Sequence, residues 1–282
     1  MRSCVLLLAA TAALAQSPAN NAPIDKSWDI LTQAMQDTNP AKRVEAALAM
    51  GVVHPETRSV ALVEGLLNDN DYGTRQAACS VLGEMKSRAS IPKLRNALDD
   101  KAPEVVFAAA RALYEMGDPS GRAVLAAILM GDRPDSSGLI SSSLRDAKLK
   151  LHDPKALLLI GVNQSAGLLG PFGVGVPITE MLLKDKESTA KTAAILLLAN
   201  DTNEDSKQAV RAALSDKNWT VRVAAARAVG NRDIVAFYDD VTAMLDDKRE
   251  EVRFAAAATA IRLKQPKLRP LQPRKPSPKA KG

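Results

Sequence analysis

DKNWTVRVAAARAVG, residues 216–230, sets an aspartate, an asparagine two positions on, a Val-Arg pair and a run of alanines in a fixed order. Alanine is the strongest helix former, and Asn218 stands where a helix N-cap is preferred, so the stretch is a helix entered from a polar turn. The order returns in DKREEVRFAAAATAI at 247–261. Working outward, aspartates recur at Asp37, Asp69, Asp100, Asp185, Asp216 and Asp247, spaced 32, 31, 85, 31 and 31 residues apart. Six positions after them stand Arg43, Arg75, Val106, Lys191, Arg222 and Arg253, and nine positions after them alanine occurs every time, at 46, 78, 109, 194, 225 and 256. Two positions before them lies a large apolar residue: Met35, Leu67, Leu98, Leu183, Leu214 or Leu245. One helix therefore ends before each aspartate and another begins after it. Pro40 and Pro103 share the start position, where a missing N–H is harmless, and Asn39, Asp71 and Asn218 are the expected N-caps.

A unit of about 31 residues is too short to bury its own core, so each must stack on its neighbours. The periodicity predicts an all-α solenoid of stacked antiparallel helix pairs, about six to seven of them. The invariant small side chain lets adjacent helices approach closely.

An aspartate in the loop followed by Val-Arg and Ala-Ala in the next helix resembles the HEAT repeat family, in particular its short phycocyanobilin-lyase-type repeat, over about residues 25–265. The resemblance implies a right-handed α-solenoid, with Asp and Arg in a ladder between repeats and the second helices on the concave side. That ladder would lack its cation at Val106. A group needed at every repeat serves structure, so no chemistry is assigned to Asp37, Asp69, Asp100, Asp185, Asp216, Asp247, Arg43, Arg75, Arg222 or Arg253.

The two ends differ from the body. Residues 1–15 carry Arg2, an uncharged apolar run from Val5 to Leu14 and Ala13-Leu14-Ala15 before Gln16. The run is too short to span a bilayer, which needs about 20 residues, and reads as a cleaved secretory signal. The chain is thus expected to be exported, periplasmic or extracellular, and not transmembrane after cleavage, with 16–24 a linker to a solenoid over 25–264. Cleavage leaves Cys79 as the sole cysteine, a small core residue with no cation or histidine beside it to activate it.

The formal charge of +6 is concentrated at the C-terminus, where Ile261 to Gly282 hold eight Lys or Arg, five prolines and no acid. Without these and Arg2, the rest has 29 basic and 32 acidic groups, so the body is not basic. Residues 265–282 are read as a disordered tail. Lys264, Lys267, Arg269, Arg274, Lys275, Lys279 and Lys281 are candidates for an electrostatic tether to an anionic envelope polymer or lipid. No nucleic-acid role is expected, since no aromatic side chain interleaves with the cations.

Between Asp100 and Asp185 the array carries about 23 residues more than two periods need. A glycine-rich insertion around 161–177 falls within the uncharged stretch 156–179. Its five glycines, two prolines and Asn163-Gln164-Ser165 argue against a membrane span. It either packs on the solenoid or binds a partner, with Phe172 as anchor and Gly170, Gly173 and Gly175 allowing close approach.

Chemistry is sparse. His54 and His152 are about a hundred residues apart, and the His-Glu pairs that bind iron in the HEAT-repeat hydroxylases are missing. No metal, cofactor or catalytic residue is expected. The sequence therefore points to a non-enzymatic scaffold or adaptor for a protein partner of unknown identity. Its expected surface is the concave groove of the second helices, about 56–68, 90–99, 119–130, 203–214 and 232–246. Trp28 and Trp219 are secondary contact candidates, although Trp28 is expected rather to cover an end of the stack and Trp219 to start a first helix. The alternatives are an envelope tether acting through the basic tail and a lyase-like or other enzyme of the same repeat class.

Overall fold

The structure is a computed structural model that describes residues 22–130, 186–198, 201 and 203–265. Among these residues all regular structure is helical. The helices are α1 (Ala22–Met35), α2 (Pro40–Ala49), α3 (Thr57–Gly65), α4 (Tyr72–Glu84), α5 (Ile91–Asn96), α6 (Pro103–Glu115), α7 (Pro119–Met130), α8 (Lys186–Leu198), α9 (Glu204–Ala213), α10 (Trp219–Asn231), α11 (Tyr238–Ala243) and α12 (Glu250–Lys264). Helix α1 starts at Ala22, inside the stretch expected to be linker.

Local chemistry sets the starts. Asn39 accepts from Ala41 N at 3.0 Å, Asp71 from Thr74 N at 2.7 Å and Asn218 from Thr220 N at 3.0 Å, so all three expected caps satisfy an orphan amide. Pro40 and Pro103 open α2 and α6. A short 3₁₀ turn, at Leu66–Asn68, Ala97–Asp99 or Met244–Asp246, closes the second helix before the repeated aspartate.

The even-numbered helices α2, α4, α6, α8, α10 and α12 carry the alanine motif and form one close-packed row. Ala46, Ala78, Ala109, Ala225 and Ala256 have no solvent exposure, so no larger side chain fits at this position without moving a helix. Gly83 takes the close approach further: a Cβ there would lie 2.7 Å from Ala112 Cβ. Ala194 departs from the pattern and is exposed, because α8 has a described neighbour, α10, on one side only. Cys79 is buried in the same row, and burial pushes its thiol up to about 12. It should therefore resist a thiol reagent at pH 8 in the folded protein and react fully once urea unfolds the chain.

Spatial order is not chain order. Helix α12 packs against α1 and α2, so the row runs α8, α10, α12, α2, α4, α6, with both ends of the described chain meeting in its middle. The described residues begin with half a repeat and end with the complementary half: α12 has a first helix's sequence, and α1 supplies its second helix. Among the described residues the pairs are then α8/α9, α10/α11, α12/α1, α2/α3, α4/α5 and α6/α7. Trp28, Leu31 and Met35 are buried in this seam, which corrects the expectation that Trp28 covers an end of the stack. Polar contacts cross it as well. Lys26 bonds Asp246 at 2.5 Å, Lys42 lies 3.1 Å from Glu250, and Gln265 Oε1 accepts from His54 N at 2.8 Å.

The second helices α3, α5, α7, α9 and α11 meet one another only marginally, whereas the alanine helices touch along their lengths. In a curved stack the more closely spaced row lies inside. The alanine helices therefore face the inside of the curve and the second helices splay outward, opposite to the placement that the resemblance implied.

Candidate functional site

The repeated Asp and Arg side chains form the expected ladder. Arg43 Nη2 donates to Asp69 at 2.7 Å, Arg75 forks onto Asp100 at 2.7 and 2.8 Å, Lys191 reaches Asp216 at 2.9 Å, and Arg222 forks onto Asp247 at 2.8 Å. Each arginine also ties down its own turn: Nη1 of Arg43, Arg75, Arg222 and Arg253 donates to the backbone carbonyl of the preceding repeat aspartate at 2.8 Å. The aspartates in turn accept from the amide two residues on, at 2.8 Å in Asp37, Asp69, Asp100, Asp216 and Asp247. The Arg75 hydrogen bond is the main cause that holds Asp100 below the usual carboxylate range. At Asp247 burial works upward, but the bonds from Arg222 and the Arg249 amide outweigh it and the net shift is down. These charges hold turns and neighbouring repeats together.

At the seam the ladder changes. Arg253 lies 4.0 Å from Glu250 of its own helix, while Lys42 lies between Asp37 and Glu250. Beside this junction Glu45 is raised to about 7, first by burial and then by repulsion from Glu251 and Glu250. A carboxyl raised on folding supports the fold fully below about pH 4.5, and that support is lost as the pH rises through 7. Glu45→Gln should accordingly stabilise the protein by about 1–2 kcal/mol at pH 8 after allowance for solvent screening, with no gain near pH 4. Urea melts at the two pH values measure the difference.

His54 faces Arg262 through Nδ1, and burial followed by the Arg262 charge lowers its pKa. The imidazole accepts as a neutral ring, and Arg262 is anchored on its other side by Asp233 at 2.6 Å. Among the described residues no group of three His, Cys, Asp or Glu could hold a metal ion, and no helix is long and apolar enough to cross a membrane.

On the outer face a recess of about 590 Å³ lies between the end of α1 and α3, with Met35, Leu62 and Gly65 opposite Asp37, Arg43 and Asp69. It falls partly in the expected segment 56–68. On the inner face four elements converge. The Glu84 carboxylate lies over Gly51, where a Cβ would come within 2.3 Å of Oε2. Glu84 also feels the charges of Arg227, Arg111 and Glu115, contributed by α10 and α6. Burial dominates in raising Glu84 and lowering Arg227. Sequence reading missed this cluster, although a signal existed: Arg111 and Arg227 stand eleven residues after their aspartates, and Glu84 and Glu115 fifteen after theirs.

Phe172, Gly170, Gly173, Gly175 and Asp185 lie outside the described residues, as do the signal segment and Lys267, Arg269, Arg274, Lys275, Lys279 and Lys281. Lys264 belongs to the last turn of α12, its Nζ 4.3 Å from the centre of the Tyr238 ring, so it is part of the folded body. Trp219 opens α10 as expected, beneath the guanidinium of Arg249 at 4.9 Å.

A search of curated proteins gave no match. The profile of HEAT repeats matches residues 59–137 and 176–262, more than half of the chain. With the stacked helix pairs and the Asp–Arg ladder described above, the chain belongs to the HEAT repeat family.

Proposed function

We propose that this protein is an exported, non-catalytic scaffold or adaptor that binds a protein partner along the faces of its array. The observation that carries the reading is the ladder. The most frequently repeated charged residues are engaged in joining repeats, as at Arg75–Asp100 and Arg222–Asp247, which leaves recognition to extended surfaces. The signal-like residues 1–15 support export. A pull-down from the cell envelope with residues 16–282 as bait, run beside Phe172→Ala, tests the proposal. A reproducible partner is expected, with poorer recovery by the variant if the glycine-rich insertion takes part. A bait that recovers nothing above a tag-only control, or turnover in a broad substrate screen, would overturn the reading.

A second reading, an envelope tether, is supported by the run of cations from Lys267 to Lys281, which follows α12 in the sequence. Binding to anionic vesicles should then fall on deletion of 266–282 and with rising salt. Unchanged binding would remove the tether.

A further inference from the structure

We propose that the recess between α1 and α3 on the outer face is a receptor for a lysine side chain of a partner protein. This inference rests on the scaffold reading above and names the chemistry of the partner. Among the described residues, ion pairs close the other junctions between neighbouring second helices. Arg211 of α9 meets Asp240 of α11 at 3.0 Å, Lys26 of α1 meets Asp246 after α11 at 2.5 Å, Lys93 of α5 meets Glu64 of α3 at 2.6 Å, and Arg95 of α5 meets Asp118 before α7 at 2.6 Å. Between α1 and α3 the same residues supply no ion pair, and Arg58 over the Trp28 ring at 4.3 Å joins the helices only further back along their length. The repeat register explains the gap. Arg211 and Glu64 stand five residues before their aspartates, and Asp240 and Lys93 stand seven before theirs. In α1 and α3 these positions are Thr32 and Leu62, which cannot form an ion pair.

The ladder is incomplete at the same place. Arg75 and Arg222 fork onto both oxygens of their aspartates, whereas Arg43 reaches Asp69 through Nη2 alone, on the Oδ1 that also accepts from the Asp71 amide at 2.8 Å. Asp69 Oδ2 is left without a hydrogen bond among the described residues, although the side chain is only 13% exposed. Gly65 keeps the recess roomy, at about 590 Å³. Its backbone is ordinary right-handed helix with φ −58°, and nothing lies within 4 Å of where a Cβ would stand, so neither conformation nor packing calls for glycine there. The lining selects the ligand. Met35, Leu62 and Leu66 suit an aliphatic stem, and Asp69 with Asp37 suits a cationic head. Arg43 does not repel it outright, being already bound to Asp69 Oδ1 and to the carbonyls of Asp37 and Thr38. One free oxygen satisfies a compact ammonium, whereas the guanidinium fork is matched to two. The partner's lysine thus supplies the cation that Lys93 and Arg211 supply at the equivalent junctions.

The test titrates the isotope-labelled full mature chain with a capped pentapeptide, lysine flanked by two alanines on each side, and with counterparts that carry acetyl-lysine or arginine at the centre. NMR should show the amides of Gly65, Asn68 and Asn70 shifting with a Kd below about 1 mM for the lysine peptide. Acetylation removes the charge and keeps the stem, and should weaken binding at least about ten-fold. The arginine peptide should also bind more weakly. Gly65→Leu grows into the recess and should abolish the shifts. It should melt no lower than the wild type, because leucine is the better helix former, which separates lost binding from lost folding. Equal affinity for the lysine peptide and either counterpart, no shift at residues 65–70 up to about 1 mM, or lysine binding that survives Gly65→Leu would overturn the proposal. If wild type and Gly65→Leu recover the same envelope partner in equal amounts, the scaffold stands and the lysine receptor falls. If neither recovers a partner while the lysine preference holds, the scaffold falls and the receptor stands.

Discussion

Deleting α1, residues 22–35, is expected to abolish the cooperative folding of the C-terminal half, although that half begins more than 150 residues further along the chain. Trp28, Leu31 and Met35 are buried against the seam, and each contributes about 1.5–3 kcal/mol in apolar burial. Their combined loss is comparable to the 5–15 kcal/mol total stability of an ordinary domain. Urea titration followed by far-UV circular dichroism should show α8 to α12 melting early or already unfolded, while α2 to α6 retain a transition. Leu31→Ala should give a milder form of the same effect, about 2–5 kcal/mol. Unaltered melting after deletion would mean that α1 is an appendage rather than the second helix of the α12 pair.

Arg222→Ala is expected to cost about 3 kcal/mol. The side chain is 9% exposed and its partner Asp247 14% exposed, so truncation leaves an enclosed carboxylate with one amide donor and strips two turn carbonyls of theirs. Lys191→Ala, in a pair whose lysine is 40% exposed, should cost much less. Chemical denaturation of both variants provides the comparison, and similar losses would show that the ladder is not an enclosed structural device. The pH dependence follows in sign. Asp69, Asp100, Asp216 and Asp247 are all lowered on folding. Their stabilisation is thus present above about pH 4 and is lost as pH falls through the folded values. Acid unfolding should begin below about pH 4 and be blunted in Asp247→Asn, which starts from lower stability.

The repeat was legible because its chemistry is local. Asn39, Asp71 and Asn218 cap the helices that follow within a few residues, and the inward alanines keep one phase with the aspartates. The seam was less so, since nothing local says that helices at opposite ends of the chain meet. The clue was the register. Met35 before Asp37 has the form of the end of a second helix, and EEVRFAAAATA has the form of a first helix followed by proline-rich sequence. Which row faces inward follows from helix spacing, to which composition is blind. Glu84 and Arg227 escaped notice because each taken alone is an ordinary charged residue at a helix surface. Only the folded row lets the Arg227 charge act on Glu84.

Carbodiimide cross-linking of the intact protein, read by peptide mass spectrometry, tests the central claim that α1 and α2 join α12 in one continuous stack. The ion pairs Lys26–Asp246 and Lys42–Glu250 join opposite ends of the chain and should appear as zero-length cross-links at protein concentrations too low for association. Recovery of links confined to each half, such as Lys93–Glu64 and Lys191–Asp216, with none across the seam, would contradict it.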